Sequence, residues 1–240
     1  MMKKQKIIKH HTVVYIAESV KREKKQRKEH YINGDTSVFI ADPLPENISI
    51  EHVITTIKHI VPSYMLSHVD YLQIGEIEEF AKRNINALYK DGVIYVTNVQ
   101  DNEEDMLDDI IHELAHCLED VYSREIYADD LIENEFQQKR AHLYYILKAY
   151  GYPVSAKHCL NVDYFKDFDD FLYKVVGYPV LDSLMGNLFV NPYSITSLRE
   201  YFAEGINKYY LGNRKKLQSI CPHLYLKIEE LNNKEEENGF

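Results

Sequence analysis

Residues 101–121 read DNEEDMLDDIIHELAHCLEDV. Met106, Ile110, Leu114, Cys117 and Val121 recur at helical spacing, and Leu107, Ile111 and Leu118 widen the apolar stripe they form. Asp109, His112, Glu113, His116, Glu119 and Asp120 gather on the remaining face. Asp101, followed three residues later by Glu104, has the form of a capping box that starts the helix. The stretch therefore predicts one helix, buried along one side and polar along the other.

Within it, His112 and His116 are four residues apart, which on a helix stacks both imidazoles on one face where they can grip a single ion. Glu113 sits beside them. This is the His-Glu-x-x-His arrangement in which two neutral imidazoles hold Zn²⁺ and the carboxylate takes a proton from the water that the metal acidifies. The bare pattern arises by chance in a chain with eleven histidines. Its position inside a half-buried helix is what carries weight.

Working outward, 240 residues suffice for one sizeable core or two lobes sharing a cleft. A hydrophobic content of 45% with 28% charged residues excludes wholesale disorder. The net charge of −10 is uneven: residues 1–30 carry ten Lys/Arg and three Asp/Glu, net +7, leaving −17 elsewhere. Such bulk acidity argues against nucleic-acid binding, and the basic arm 1–30 reads as a solvated helix or tail. Cys117, Cys159 and Cys221 are odd in number and lack Cys-x-x-Cys spacing, so neither a disulfide framework nor a zinc ribbon is expected. Nowhere do eighteen apolar residues run together, and the N-terminal apolar runs are broken by Lys9-His10-His11. The expectation is a cytoplasmic protein without a membrane span or signal peptide.

In chain order, residues 12–17 suggest a short strand and residues 18–30 a charged helix or linker. Residues 37–41 form a strand closed by Pro43-Leu44-Pro45. Residues 49–61 have helical periodicity through Val53, Ile54, Ile57 and Ile60 and stop at Pro62. Residues 69–74 read as another strand. Residues 86–89, Lys90-Asp91-Gly92 and 93–97 form a hairpin, since Asp-Gly supplies the positive φ of a tight turn. From Asp101 onward the patterns are helical. The predicted class is α+β: a basic arm (1–30), an N-terminal α/β lobe with a small mixed sheet (31–100), and a mostly helical lobe carrying the metal site (101–240). A strand just before the metal helix can line the cleft and pair with an extended peptide. Residues 93–97 are the candidate edge.

A catalytic zinc usually has three protein ligands and one open position. Tyr122 stands where a third histidine six residues beyond His116 would be, so a later glutamate is expected. One source is the segment 193–204: Ser197 and Glu200 form a second capping box, and Glu200 and Glu204 share a face, so one can bind metal while the other orients an imidazole. The other source is Glu133-Asn134-Glu135, with Glu135 nineteen residues past His116; its alternative is a solvated helical face.

His112-Glu113-Leu114-Ala115-His116, followed by Tyr193 and then Glu200 within Glu-Tyr-Phe-Ala-Glu, resembles the zincin domain of the anthrax lethal factor and Pro-Pro endopeptidase group. The resemblance implies a zincin-like fold and a zinc-dependent endopeptidase acting on protein or peptide. By it, His112, His116 and Glu200 are metal ligands, Glu113 is the general base, and Tyr193 stabilises the oxyanion. Tyr201 and Tyr209 are the other tyrosines near that segment. Ala115 stands where the group commonly has glycine, and the long interval from His116 to Glu200 implies an inserted helical segment around 123–190. Asp109 and Glu119 read as solvated charges or partners of the ligands. Residues 101–135 hold fourteen acids against Arg124 alone, a field that would favour substrates with Lys or Arg near the cut. The alternative is a non-enzymatic binding module with a structural or vestigial metal site.

Overall fold

A computed structural model describes residues 30–32 and 36–234. The expected strand at 12–17 and the basic arm through residue 29 lie outside them. His30, expected to end the charged stretch, instead opens β1 (His30–Tyr31), followed by β2 (Ser37–Ile40), β3 (Tyr71–Ile74), β4 (Ala87–Lys90) and β5 (Val93–Val96). Eleven α-helices are present among the described residues: α1 (Ile50–Ile60), α2 (Ser63–Leu66), α3 (Glu78–Arg83), α4 (Glu103–Tyr127), α5 (Leu131–Ala149), α6 (Ala156–Cys159), α7 (Lys166–Asp170), α8 (Tyr178–Met185), α9 (Leu198–Tyr210), α10 (Arg214–Ile220) and α11 (Pro222–Asn232). The class is mixed α+β.

The sheet order is β1-β2-β3-β5-β4, parallel between β2, β3 and β5 and antiparallel at both outer pairs. Between β2 and β3 the chain crosses through α1, whose N-cap Ser49 accepts from His52 N–H and whose Ile50, Val53, Ile54 and Ile57 are buried. Asp91 and Gly92 take φ of 50° and 84°, the left-handed pair that a two-residue hairpin needs.

That turn corrects the expected edge. Residues 93–97 do not line a cleft with an open side, because β5 is paired on both sides, to β3 and to β4. Parallel pairing with β3 takes one side of β5 and the hairpin folds β4 onto the other, so β4 is the edge. Thr97 N–H donates to Asn86 O, and the register then turns the backbone groups of Ala87 and Tyr89 away from β5.

Helix α4 lies against β4 and β5 on one side and α9 on the other. Its stripe is buried as expected from Met106 to Leu118, while Val121 is exposed. The cap is one residue later than the sequence suggests: Asn102, not Asp101, accepts from Asp105 N–H. Its acceptor oxygen reaches the third helical amide, which fixes the start. In α9, a Cβ at Gly205 would meet Leu224 Cδ2 at 2.5 Å, so glycine there lets α11 approach closely. One buried cluster runs from Ile32 to Leu231, so the sheet and the helices share a core. Among the described residues no helix is long and apolar enough to cross a membrane.

Candidate metal centre

Helix α4 presents the His112 and His116 rings edge to face, centroids 4.8 Å apart. Opposite them, Ser197 caps α9 by accepting from Glu200 N–H at 3.1 Å, which sets Glu200 in the first turn with its carboxylate facing the histidines. His112 Nε2 and His116 Nε2 are 3.2 Å apart. Glu200 Oε2 is 3.0 Å from the first and 3.6 Å from the second. Among the described residues this is the one group of three or more His, Cys, Asp or Glu side chains whose ligand atoms converge.

These separations bear on metal fit. Ligands held at 2.0–2.1 Å in a tetrahedron are about 3.3 Å apart, and the three measured edges bracket that value. Glu200 Oε2 is also buried without an aligned hydrogen-bond donor, although both imidazoles lie within ion-pair distance. A lone pair aimed at a shared centre explains both facts. The donor set, two imidazoles and a carboxylate, suits Zn²⁺ with a further position open.

The surroundings favour positive charge. Burial by itself would lower both imidazoles, but Glu200 and Glu204 hold His112 well above its usual range, and Glu119 and Glu200 raise His116. Burial would raise Glu200, yet the two histidines hold it well below the ordinary carboxylate range. No family model, curated protein or solved structure matches the chain.

Outside the triad, Glu204 Oε1 is 3.2 Å from His112 Nδ1, the arrangement weighed from the sequence for one of the paired glutamates. Its other oxygen accepts from Asn191 Nδ2 at 2.5 Å. Glu119, read as a solvated charge or partner, is partly buried beside His116 with Oε2 3.7 Å from Nδ1, and its Oε1 accepts from Tyr127 hydroxyl at 2.6 Å. The spacing of three residues from His116 carried that signal. Nothing in the sequence announced Arg199, whose Nε donates to His116 Nδ1 at 3.0 Å and lies 3.3 Å from Glu119 Oε2. Ligation of a metal through His116 Nε2 requires the proton on Nδ1, so the Arg199 bond to Nδ1 gives way to one with Glu119 Oε2, 3.3 Å from Arg199 Nε, and Glu119 becomes the acceptor nearest to Nδ1. Glu119→Gln is therefore expected to weaken zinc binding about 10–100-fold in a chelator competition, with helix content unchanged by circular dichroism.

Glu113 is buried, and its Oε2 accepts from Tyr89 N–H of the edge strand at 2.6 Å. Tyr193 lies in a 3-10 turn (Tyr193–Ile195), its ring centroid 6.0 Å from that of His112. Asn191 ties this turn by accepting from Ser194 N–H at 2.9 Å. Burial and the nearby Glu200 push the Tyr193 phenol far up, so it stays a proton donor. Tyr201 and Tyr209 are elsewhere: Tyr201 donates to Glu135 Oε1 at 2.7 Å, and Tyr209 packs on Tyr210 and Tyr225.

Glu135 is neither a ligand nor a solvated group. It is buried, and its carboxylate accepts from His223 N–H at 2.9 Å and Leu224 N–H at 3.4 Å. These are first-turn amides of α11, which have no intrahelical acceptor, and the positive end of the helix favours an anion there. The N-cap residue Cys221 makes no side-chain cap hydrogen bond, so Glu135 supplies one from α5.

Asp109 accepts from Gln100 Nε2 at 2.7 Å, and burial pushes its carboxyl up to about 6. A pKa raised above the unfolded value favours the protonated form in the fold, so this group's contribution declines as pH rises from about 4 to about 6 and stays low above. Asp109→Asn is expected to stabilise the protein by about 1–2 kcal/mol at pH 7, with the gain vanishing below pH 4. Urea unfolding at the two pH values checks it.

Proposed function

We propose that the chain is a zinc-dependent endopeptidase of zincin-like fold, with His112, His116 and Glu200 holding the metal. The observation that carries the reading is the convergence of those three ligand atoms at edges of 3.0–3.6 Å beside Glu113. The resemblance to the anthrax lethal factor and Pro-Pro endopeptidase group agrees with it on residues alone. Zinc bound there supplies a Lewis acid that acidifies water and polarises a scissile carbonyl.

The chain's own groups do the rest. Glu113 takes the proton of the attacking water on a carboxylate oxygen and delivers it to the leaving amine. Tyr193 donates its hydroxyl proton in a hydrogen bond to the developing oxyanion, a contact worth about 3 kcal/mol in comparable sites. Strand β4 offers outward backbone groups at Ala87 and Tyr89 to an extended peptide. Because Glu113 rests on the Tyr89 amide, a peptide pairing with β4 competes for that amide and frees the carboxylate. Glu119 and Glu204 fix the orientation of the two imidazoles.

The substrate is protein or peptide, and the three buried, unpaired cysteines support a reducing, cytoplasmic setting. Peptide hydrolysis that a chelator abolishes and added zinc restores is the expected result. A protein that binds no zinc at micromolar concentration overturns the reading, and one that binds zinc tightly but cleaves no peptide in a diverse library returns the centre to a structural role.

A further inference from the structure

Asn207 is only 5% exposed, yet neither its Oδ1 nor its Nδ2 has a hydrogen-bond partner. A buried carboxamide in that condition is unfavourable unless it faces a ligand or ordered water. Asn207 lines a cavity of about 220 Å³ between α4 and the C-terminal half of α9. Asp108 and Glu204 line the same cavity, with Lys208 at its wall and Val190 and Leu211 as its aliphatic sides.

Three features of this cavity favour positive charge, against the single lining cation, Lys208. Two carboxylates share it, one turn from His112 on α4 and one turn from Glu200 on α9. The negative end of the α9 dipole falls at Leu211, its C-cap, which is also a lining residue. Glu204, though already facing His112 Nδ1 and Asn191 Nδ2, retains capacity, because a carboxylate has about four lone-pair sites.

Size narrows the class. The space opens to solvent past Asp108, Leu211 and Gly212 and admits several water molecules, so an ion there would keep part of its hydration shell. Oxygen donors from two carboxylates and one amide, with water completing six to eight positions, are a coordination that calcium accepts in irregular geometry, whereas magnesium demands six near-ideal octahedral positions. We propose that this cavity binds a hard divalent cation of the calcium class through Asp108, Glu204 and Asn207 Oδ1, with water in the remaining positions. The site goes beyond the hydrolase reading and does not depend on it. Where that reading holds, the cation also steadies Glu204, and through it His112.

Calcium titration of the full zinc-saturated chain by calorimetry tests the site. One calcium per chain is expected, with affinity lowered at least tenfold by Asp108→Asn and by Asn207→Leu. Asn207→Asp adds a charge at the same position and is expected to tighten binding, so the test survives a leucine variant that fails to fold. His112→Ala is expected to lose zinc and keep calcium, which separates failure here from failure of the hydrolase reading. Absence of calcium binding, or calcium binding that none of the Asp108 and Asn207 variants alters, overturns the proposal. So does binding of methylguanidinium or butylammonium in place of calcium, which would make the cavity a pocket for a basic side chain.

Discussion

Glu113→Gln is expected to retain one zinc per chain and to lose peptide hydrolysis by about 10²–10⁴-fold. Glutamine is nearly isosteric with glutamate, so the helix and the positions of His112 and His116 are kept. The amide oxygen can still accept from Tyr89 N–H, the contact that glutamate makes at 2.6 Å. What glutamine lacks is basicity: it neither takes a proton from water nor returns one to the leaving amine. The comparison therefore separates chemistry from folding and from metal binding within one variant. Zinc stoichiometry by elemental analysis and initial rates on a quenched peptide are the two readouts. Hydrolysis within threefold of wild type would mean that Glu113 is not the base.

Arg140→Leu is expected to destabilise the fold by about 3–5 kcal/mol. Arg140 is 1% exposed, and no carboxylate is among the partners of its guanidinium. Its Nε donates to Cys159 O at 2.5 Å, one terminal nitrogen donates to Ile195 O, and the other donates to His158 O at 2.8 Å and Asn161 O at 3.1 Å. Phe136 and Phe168 lie against the guanidinium, with its carbon 5.2 Å and 4.3 Å from the ring centroids. Burial lowers its pKa to about 10, which leaves it charged at neutral pH. His158 and Cys159 end α6 and Asn161 follows it, a place where carbonyls run short of helical donors; of the three, His158 O also accepts from Asn161 N–H at 3.4 Å. Ile195 belongs to the turn that carries Tyr193. Leucine fills much of the volume but strands the carbonyls of Cys159, Asn161 and Ile195, while His158 O keeps the Asn161 N–H; each unmet buried acceptor costs about 1–3 kcal/mol before water relieves part of it. A urea midpoint unchanged from wild type would show that these carbonyls find other donors.

These two residues stand at opposite ends of what sequence reading can reach. Glu113 was legible because its neighbours His112 and His116 lie within one helical turn, and the apolar stripe of 106–118 shows which face they occupy. Local periodicity is a property of the chain itself. Arg140 was not legible, since its partners are 18–55 residues away along the chain and are backbone carbonyls, which any residue supplies.

The sequence by itself determined the half-buried helix around the two histidines, the Asp-Gly hairpin before it, the mostly helical character of the described residues after 100, and the Ser197 cap that sets Glu200 in a first turn. All of these are interactions within about four residues, where spacing alone decides which groups meet. Tertiary structure decided which strand is the edge, because pairing of β5 with β3 depends on a chain crossover that no local pattern encodes. It decided between Glu200 and Glu135: the two carboxylates are chemically equivalent, and only the packing of α9 against α4 and of α11 against α5 turns one toward the histidines and the other to a helix N-terminus. It also placed Arg199 and Glu119 together on one imidazole nitrogen. Long-range partners of this kind are chosen by how helices stack, and the free energy of stacking is spread over the shared core rather than written in any one stretch.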